Sequence, residues 1–191
     1  MIKIGITGSL ASGKTTASKI LSYKRGPLFS ADKAVEELYQ LKRFRALISR
    51  KFGLKNNNQI KRSLKKLLIK NNKNLKKLEK LIHPLVRKKM REFTYKNKNK
   101  KTLFYEIPLL IESNLMKFFN LIIFIRSRKA IRLKRFKLKK GNNKLFNFLD
   151  NQQMNDKKKI KICDYVVVND KNLRILKKNL FRIIEKIDNY E

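Results

Sequence analysis

The chain begins with the apolar stretch Ile2-Lys3-Ile4-Gly5-Ile6-Thr7 and runs straight into Gly8-Ser9-Leu10-Ala11-Ser12-Gly13-Lys14-Thr15. A strand that feeds G-x-x-x-x-G-K-T, with a helical pattern behind it, is a phosphate-binding loop in its proper setting. Each part has a mechanical task. Gly8 and Gly13 allow torsions and close approaches that a Cβ would block. The loop's N–H groups point inward as a nest for phosphate oxygens. Lys14 reaches the outer phosphates, the Thr15 hydroxyl suits Mg²⁺, and the helix starting near Lys14 adds its positive end. The alternative is a plain glycine-containing turn between strand and helix. The motif predicts nucleotide phosphate binding and leaves the fate of the phosphate open.

The rest of the chain repeats the strand–helix rhythm. A helix is expected from Lys14 to about Tyr23, with Ala17, Ile20 and Leu21 on one face. Gly26-Pro27 turns the chain, and Leu28-Phe29-Ser30 forms a short strand ending at Ala31-Asp32. A helix follows through Val35, Leu38 and Leu41. From about Phe44 to Lys100 the pattern is helical and very basic, interrupted at Phe52-Gly53 and at Asn56-Asn57-Asn58. Further strands are expected at Thr102–Ile107, Leu121–Ile125 and Tyr165–Val168. Leu121–Ile125 is continuously apolar, as a buried parallel strand is. Between the last two strands lie a basic helix at about Lys129–Lys139, a break at Gly141-Asn142-Asn143 and one helix over about Lys144–Lys161. Asn172–Asp188 closes the chain as a helix. Five strands alternating with helices predict an α/β fold whose parallel sheet is covered on both faces. Function in such sheets collects at the carboxyl ends of the strands, here Gly8, Asp32, Pro108, Arg126 and Asn169. The expected organisation is one domain, with a core at about 1–40, 101–130 and 162–191. Two excursions leave it, a helical lobe at about 41–100 and a lid at about 131–161.

Charge raises a competing reading. Lys and Arg number 50 against 14 Asp and Glu, a formal net charge of +36. Such a balance suggests nucleic-acid binding. Yet the lysines are spread along the chain, Asn, Ile and Phe are also abundant, and Gly and Pro are scarce. Those four enriched residues share A/T-rich codons, so drift of the coding sequence accounts for the charge as well. The single Cys163 excludes an intramolecular disulfide and a multi-cysteine zinc site, and suits a reducing cytoplasm. His83 has no histidine partner. No apolar run approaches the roughly 18 residues of a membrane span, and no signal peptide is expected before the first strand.

The ordered motifs closely resemble the dephospho-CoA kinases, over nearly the whole chain. Thr7 to Thr15 matches that family's T-G-G-x-x-S-G-K-S/T, with Ser9 and Ala11 in place of usual glycines. Ser30-Ala31-Asp32 stands at its D-A-D, with Ser30 replacing the first Asp. Phe52-Gly53 and Arg62-Ser63-Leu64-Lys65-Lys66-Leu67 follow in order. Leu78-Glu79-Lys80-Leu81-Ile82-His83-Pro84-Leu85-Val86-Arg87 and Glu106-Ile107-Pro108-Leu109-Leu110-Ile111-Glu112 match its two most specific stretches. Gln153, Cys163-Asp164 and Asn169 fall where the family has Q, A-D and N. In the lid, Arg135 remains, whereas Lys140-Gly141 stands at the family's R-G; lysine keeps the charge and loses the planar fork.

The resemblance implies a three-layer P-loop kinase fold with a five-stranded parallel sheet, a helical acceptor-binding lobe and a basic helical lid. It implies ATP-dependent phosphorylation of the ribose 3′-hydroxyl of dephospho-CoA, the final step of coenzyme A synthesis, in the cytoplasm. Ala11, Ser12, Gly13, Lys14, Thr15, Thr16 and Asn169 are then expected to bind ATP, with Mg²⁺ on Thr15. Lys14, Arg135 and Lys140 neutralise the transferring group, and Asp32 takes the hydroxyl proton. Asp32, Arg62, His83, Arg87 and Glu106 bind the acceptor. Each residue has a plainer alternative. Asp32 also suits a helix N-cap, His83 a packing role beside Pro84, and Arg62 and Arg87 solvated basic faces. Glu106 and Glu112 suit holding a Mg²⁺-bound water or a lobe-to-core bond, or plainer salt bridges to lysines, and Asn169 suits a turn. The Leu75, Leu78, Leu81 and Ile82 stripe reads as core. A nucleoside monophosphate kinase shares the loop and lid logic, and an RNA-binding protein fits the charge. The expected partners are ATP and dephospho-CoA, with no specific nucleic acid and no membrane.

Overall fold

The structure is a computed structural model that describes residues 1–57 and 59–188. Asn58, the last of the asparagine cluster, and the final residues of the expected core, 189–191, lie outside the described residues. All five expected strands form: β1 (Ile2–Gly8), β2 (Leu28–Ser30), β3 (Thr102–Glu106), β4 (Leu121–Arg126) and β5 (Tyr165–Val168). They make one parallel sheet in the order β2-β3-β1-β4-β5. β1 is central, with Ile4 registered against Phe104 on one side and Leu121 on the other. This position explains its sequence. A strand buried on both faces has no solvent side on which to alternate polar residues.

The helices are α1 (Lys14–Ser22), α2 (Ala31–Gln40), α3 (Lys42–Phe52), α4 (Ile60–Lys70), α5 (Asn72–Lys96), α6 (Lys129–Leu138), α7 (Asn143–Asn151), α8 (Asp156–Ile160) and α9 (Leu173–Asp188), while β3 and β4 are joined by a loop with one 3-10 turn at Met116–Phe118. α1 and α9 cover one face, where Ala17, Leu21, Leu176, Leu180, Ile183 and Ile184 close on Ile4, Ile6, Ile123 and Val167. On the other face, aromatic rings cluster around the fully buried Tyr105, which contacts Phe29, Phe93, Phe118 and Phe119.

The chain divides into two compact units, residues 1–30 with 93–191, and residues 31–92. The first holds the sheet, α1 and α6–α9. The second has its own core of Leu38, Phe44, Ile48, Ile60, Leu64 and Leu78, flanked by Leu81, Ile82, Leu85 and Val86. The expected leucine stripe is therefore core at Leu78 and at its half-buried margin at Leu81 and Ile82.

One expected element is corrected. The single helix over Lys144–Lys161 is two helices, α7 and α8, separated by residues 152–155. The break has polar causes spread through the fold. Gln153 turns its side chain to the backbone of Leu10, the N–H of Met154 donates to Glu112, and Asn155 caps α8 by accepting from the Lys157 N–H. The bonds from the Met154 and Lys157 N–H groups need the break, because a continuous helix would use both groups in its own ladder.

Candidate active site

The connection from β1 leaves toward β2, and that from β4 leaves toward β5. A crevice therefore opens at the carboxyl ends of these neighbours, where open α/β sheets bind ligands. Residues 8–15 fill that position. A Cβ on Gly8 would lie 2.4 Å from the Ile125 carbonyl oxygen of β4, so glycine lets the loop sit this deep. Gly13 has φ +95° and a side chain there would strike the Asn169 amide at 2.2 Å. Ala11 holds φ +58°, a left-handed conformation, without being glycine.

The Ser12 N–H donates to the Ser9 carbonyl at 3.1 Å, and Lys14, buried at 8 % exposure, folds back so that its Nζ donates to the same carbonyl at 3.0 Å. Ser12 Oγ is buried with no hydrogen-bond partner among the described residues. Thr15 and Thr16 are exposed at the start of α1. The Thr15 hydroxyl donates to Glu106 Oε1 at 2.5 Å, and Glu106 is itself buried at the end of β3.

Three more groups grip the loop from outside. Asn169, which follows β5, donates its side-chain N–H to the Ser12 carbonyl at 2.8 Å. Arg135 donates from Nη1 to the same carbonyl at 3.4 Å and to Ser127 Oγ at 3.3 Å. Arg132 is buried beside it. Its Nε donates to the Ser127 carbonyl at 3.0 Å, and its Nη1 reaches Asp150 Oδ1 at 2.5 Å and the Leu10 carbonyl at 3.4 Å. Its guanidinium also lies over the Phe146 ring. A cleft of about 620 Å³ opens here, bordered by Ser9, Arg126, Lys129, Arg132, Gln153 and Asp156.

Asp170 fixes the entry to α6 by accepting from Ser127 Oγ and the Arg128 N–H. Burial works to raise its pKa, but those two bonds and the charges of Arg128 and Arg126 outweigh it, so the carboxyl titrates below its ordinary range. Lys140 lies just past α6, exposed, with φ +60°.

Thus Lys14, Thr15, Glu106, Arg135 and Asn169 gather at the loop, while Asp32, Arg62, His83 and Arg87 belong to residues 31–92. Asp32 is exposed in the first turn of α2, directly after β2. Arg62 is exposed on α4. His83 and Arg87 sit one turn apart on α5. Burial lowers the His83 pKa, Glu79 opposes that shift and Arg87 adds to it. The imidazole is therefore neutral at pH 7.

Glu112 takes its plainer alternative. It pairs at 2.8 Å with Lys159, which is fully buried. Sequence reasoning passed over Arg132, although its spacing of three from Arg135 places both on one helix face. It also passed over Asp156, which accepts a hydrogen bond from the Ser9 hydroxyl. These two residues are separated by 147 positions, so no local pattern links them.

The family model for dephospho-CoA kinase matches residues 2–174. The dephospho-CoA kinase of Bartonella quintana is 36 % identical over 189 residues, covering 96 % of this chain and 97 % of that protein. That of Fusobacterium nucleatum is 34 % identical over the same length and shares of each chain. The crystal structure of TT1252 from Thermus thermophilus superposes with a TM-score of 0.80 at 24 % identity, over 97 % of both chains, and shares the fold. With its phosphate loop, its five-stranded parallel sheet and a family match reaching from β1 into α9, the chain belongs to the dephospho-CoA kinase family.

Proposed function

We infer that the chain transfers the γ-phosphoryl group of ATP to the ribose 3′-hydroxyl of dephospho-CoA, giving coenzyme A and ADP. The observation that carries this reading is the loop itself. A buried lysine on the loop and the Thr15–Glu106 pair meet at the carboxyl ends of the paired strands β1 and β3 in a member of this family.

Phosphoryl transfer asks the protein mainly for position and charge. Lys14 and Arg135 lie against the loop and supply cations for the γ-phosphate oxygens as charge shifts in the transition state. Lys140 is a further lid cation, and its exposure suits a role that begins when substrate is present. The N–H groups of Ala11, Gly13, Lys14, Thr15 and Thr16 hold the phosphates, and the Ser12 hydroxyl, unpartnered among the described residues, offers one more donor. Asn169 keeps the loop shaped around them. The 3′-oxygen attacks phosphorus in line, the bond to the ADP oxygen breaks, and Asp32 accepts the hydroxyl proton. Arg62 and Arg87 hold acceptor phosphates, and the neutral His83 offers a hydrogen bond to the acceptor. Glu106 orients Thr15.

The donor set at Thr15 fits a magnesium ion. The hydroxyl and the Glu106 carboxylate are hard oxygens 2.5 Å apart. Mg²⁺ commonly uses one or two protein oxygens and takes its other ligands from water and phosphate. Among the described residues no group of three His, Cys, Asp or Glu forms a dedicated cage. When bound, the ion supplies neutralising charge at the β- and γ-phosphate oxygens. A reducing cytoplasm suits this reading, with Cys163 the single cysteine. Among the described residues no helix is long and apolar enough to cross a membrane.

The test is acceptor choice. Purified protein with ATP and Mg²⁺ is given dephospho-CoA or each nucleoside monophosphate. Coenzyme A and ADP are expected in equal amounts from the first. Phosphorylation of a monophosphate with none of dephospho-CoA overturns the reading.

A further inference from the structure

We propose that Gln153 and Asp156, in and just after the break between α7 and α8, are positioning residues that brace the phosphate loop in its nucleotide-accepting shape. The loop needs such help. Its path requires Ala11 at φ +58°, which residues other than glycine seldom hold. Within the loop, the Ser9 carbonyl accepts from the Ser12 N–H and Lys14 Nζ. The residues just before Ala11 are held from outside. Gln153 Oε1 accepts the Leu10 N–H at 2.9 Å, and Asp156 accepts the Ser9 hydroxyl. Two consecutive residues are thus fixed from one short segment, 147 and 143 positions away in sequence.

The segment is anchored well enough to serve. The Met154 N–H donates to Glu112 Oε1 at 2.9 Å, and Glu112 pairs with the fully buried Lys159 on α8. Asn155 caps α8 through the Lys157 N–H at 2.8 Å. The brace therefore runs from the turn after β3, through Glu112 and Lys159, to Gln153 and Asp156, and ends on Ser9 and Leu10. Holding the 9–10 peptide keeps Ala11 from relaxing into a right-handed conformation. That relaxation would turn the following amides away from the phosphate position and leave the nucleotide with fewer donors. The break in the expected long helix has a function on this account, because in a continuous helix the Met154 N–H would go to the Asp150 carbonyl and could not tie the segment to Glu112.

This inference rests on reading residues 8–15 as the nucleotide phosphate site, and its experiment separates the two. ADP affinity is measured by calorimetry, alongside KM for ATP, kcat, melting temperature and hydrogen exchange at the loop amides. Gln153→Ala and Asp156→Ala are each expected to weaken ADP about fivefold to tenfold, the scale of one lost hydrogen bond to a loop group. KM for ATP should rise with them and kcat change less, and the Leu10 and Ala11 amides should exchange faster. Asp156→Asn keeps an acceptor oxygen and should stay within about twofold of the parent protein. In a Ser9→Ala background, Asp156→Ala should have little further effect on affinity. A role confined to stabilising α8 predicts a lower melting temperature with unchanged ADP affinity, and that result overturns the proposal. So does an Asp156→Ala effect that persists undiminished with Ser9→Ala. If Asp156→Ala does not fold, Ser9→Ala and Gln153→Ala carry the same test. If the parent protein binds no ADP, the reading of the site fails, and the brace is judged by loop exchange alone.

Discussion

Replacing Arg132 with alanine tests how the basic helix α6 is held to the phosphate loop. Arg132 is 7 % exposed and its partner Asp150 14 %. The substitution removes the 2.5 Å ion pair, the 3.0 Å bond to the Ser127 carbonyl and the cation packed on Phe146. Removing one member of a buried pair costs about 3–5 kcal/mol, mostly because the other charge is stranded. Asp150 is not wholly stranded here, since Lys129 Nζ lies 3.6 Å from its second oxygen. That cation is 59 % exposed and screened by water, which places the cost near the lower bound, about 3 kcal/mol. For a chain of 191 residues each kcal/mol moves the melting temperature by about 2–4 °C, so a fall of about 6–12 °C is expected. Calorimetric melting of Arg132→Ala, Asp150→Ala and the double variant is the assay. The double variant should lose much less than the sum of the single losses, because it strands no charge. KM for ATP should rise in Arg132→Ala through the lost contact to the Leu10 carbonyl. A melting temperature within about 2 °C of the parent, or strictly additive losses, refutes the reasoning.

Lys14→Ala should lower kcat by about a hundredfold or more and weaken ATP, since it removes a cation from charge that develops in the transition state. Asp32→Asn should lower kcat with little change in ATP affinity, and full turnover in that variant removes Asp32 from proton transfer. The lowered pKa of His83 means that the folded state resists its protonation. Its contribution to stability is therefore complete above the ordinary value of 6.5 and is lost as pH falls through the lowered folded value. Denaturant titrations of His83→Gln should show a flatter loss of stability than the parent protein as pH falls from 6.5 toward the lowered folded value. Burial, with Asp164 adding to it, pushes the Cys163 thiol up to about 11. Alkylation of the folded protein at pH 8 should thus be far slower than after denaturation, and fast labelling of the native state contradicts the assigned environment.

Much of this protein was legible along the chain because its signals are local. β1, the loop and α1 are contiguous, so apolar run, glycines and helix pattern appear side by side. The five strands are short apolar runs between turn residues, whereas their order in the sheet is read only from the fold. Lys14, Thr15 and Asn169, expected on ATP, and the lid cation Arg135 lie at the loop, and Glu106, expected on the acceptor, meets Thr15 there. They lie at strand ends or on the first helix after β4, which the topology alone gathers.

What stayed hidden depends on partners far away in sequence. Lys157-Lys158-Lys159 looks like a solvated basic run, yet Lys159 is fully buried because Glu112, 47 positions earlier, meets it at 2.8 Å. The helix expected over Lys144–Lys161 has a sound local pattern, but Glu112 and Leu10 compete for its backbone and side chains and split it at 152–155. Arg132 resembles its exposed basic neighbours until Asp150, Phe146 and the Ser127 carbonyl enclose it. The sequence alone determined the phosphate loop, the α/β class and the family. Tertiary structure decided which charges are buried and which side chains brace the loop. A buried charge requires a compensating partner, and where that partner lies is settled only when the chain has folded.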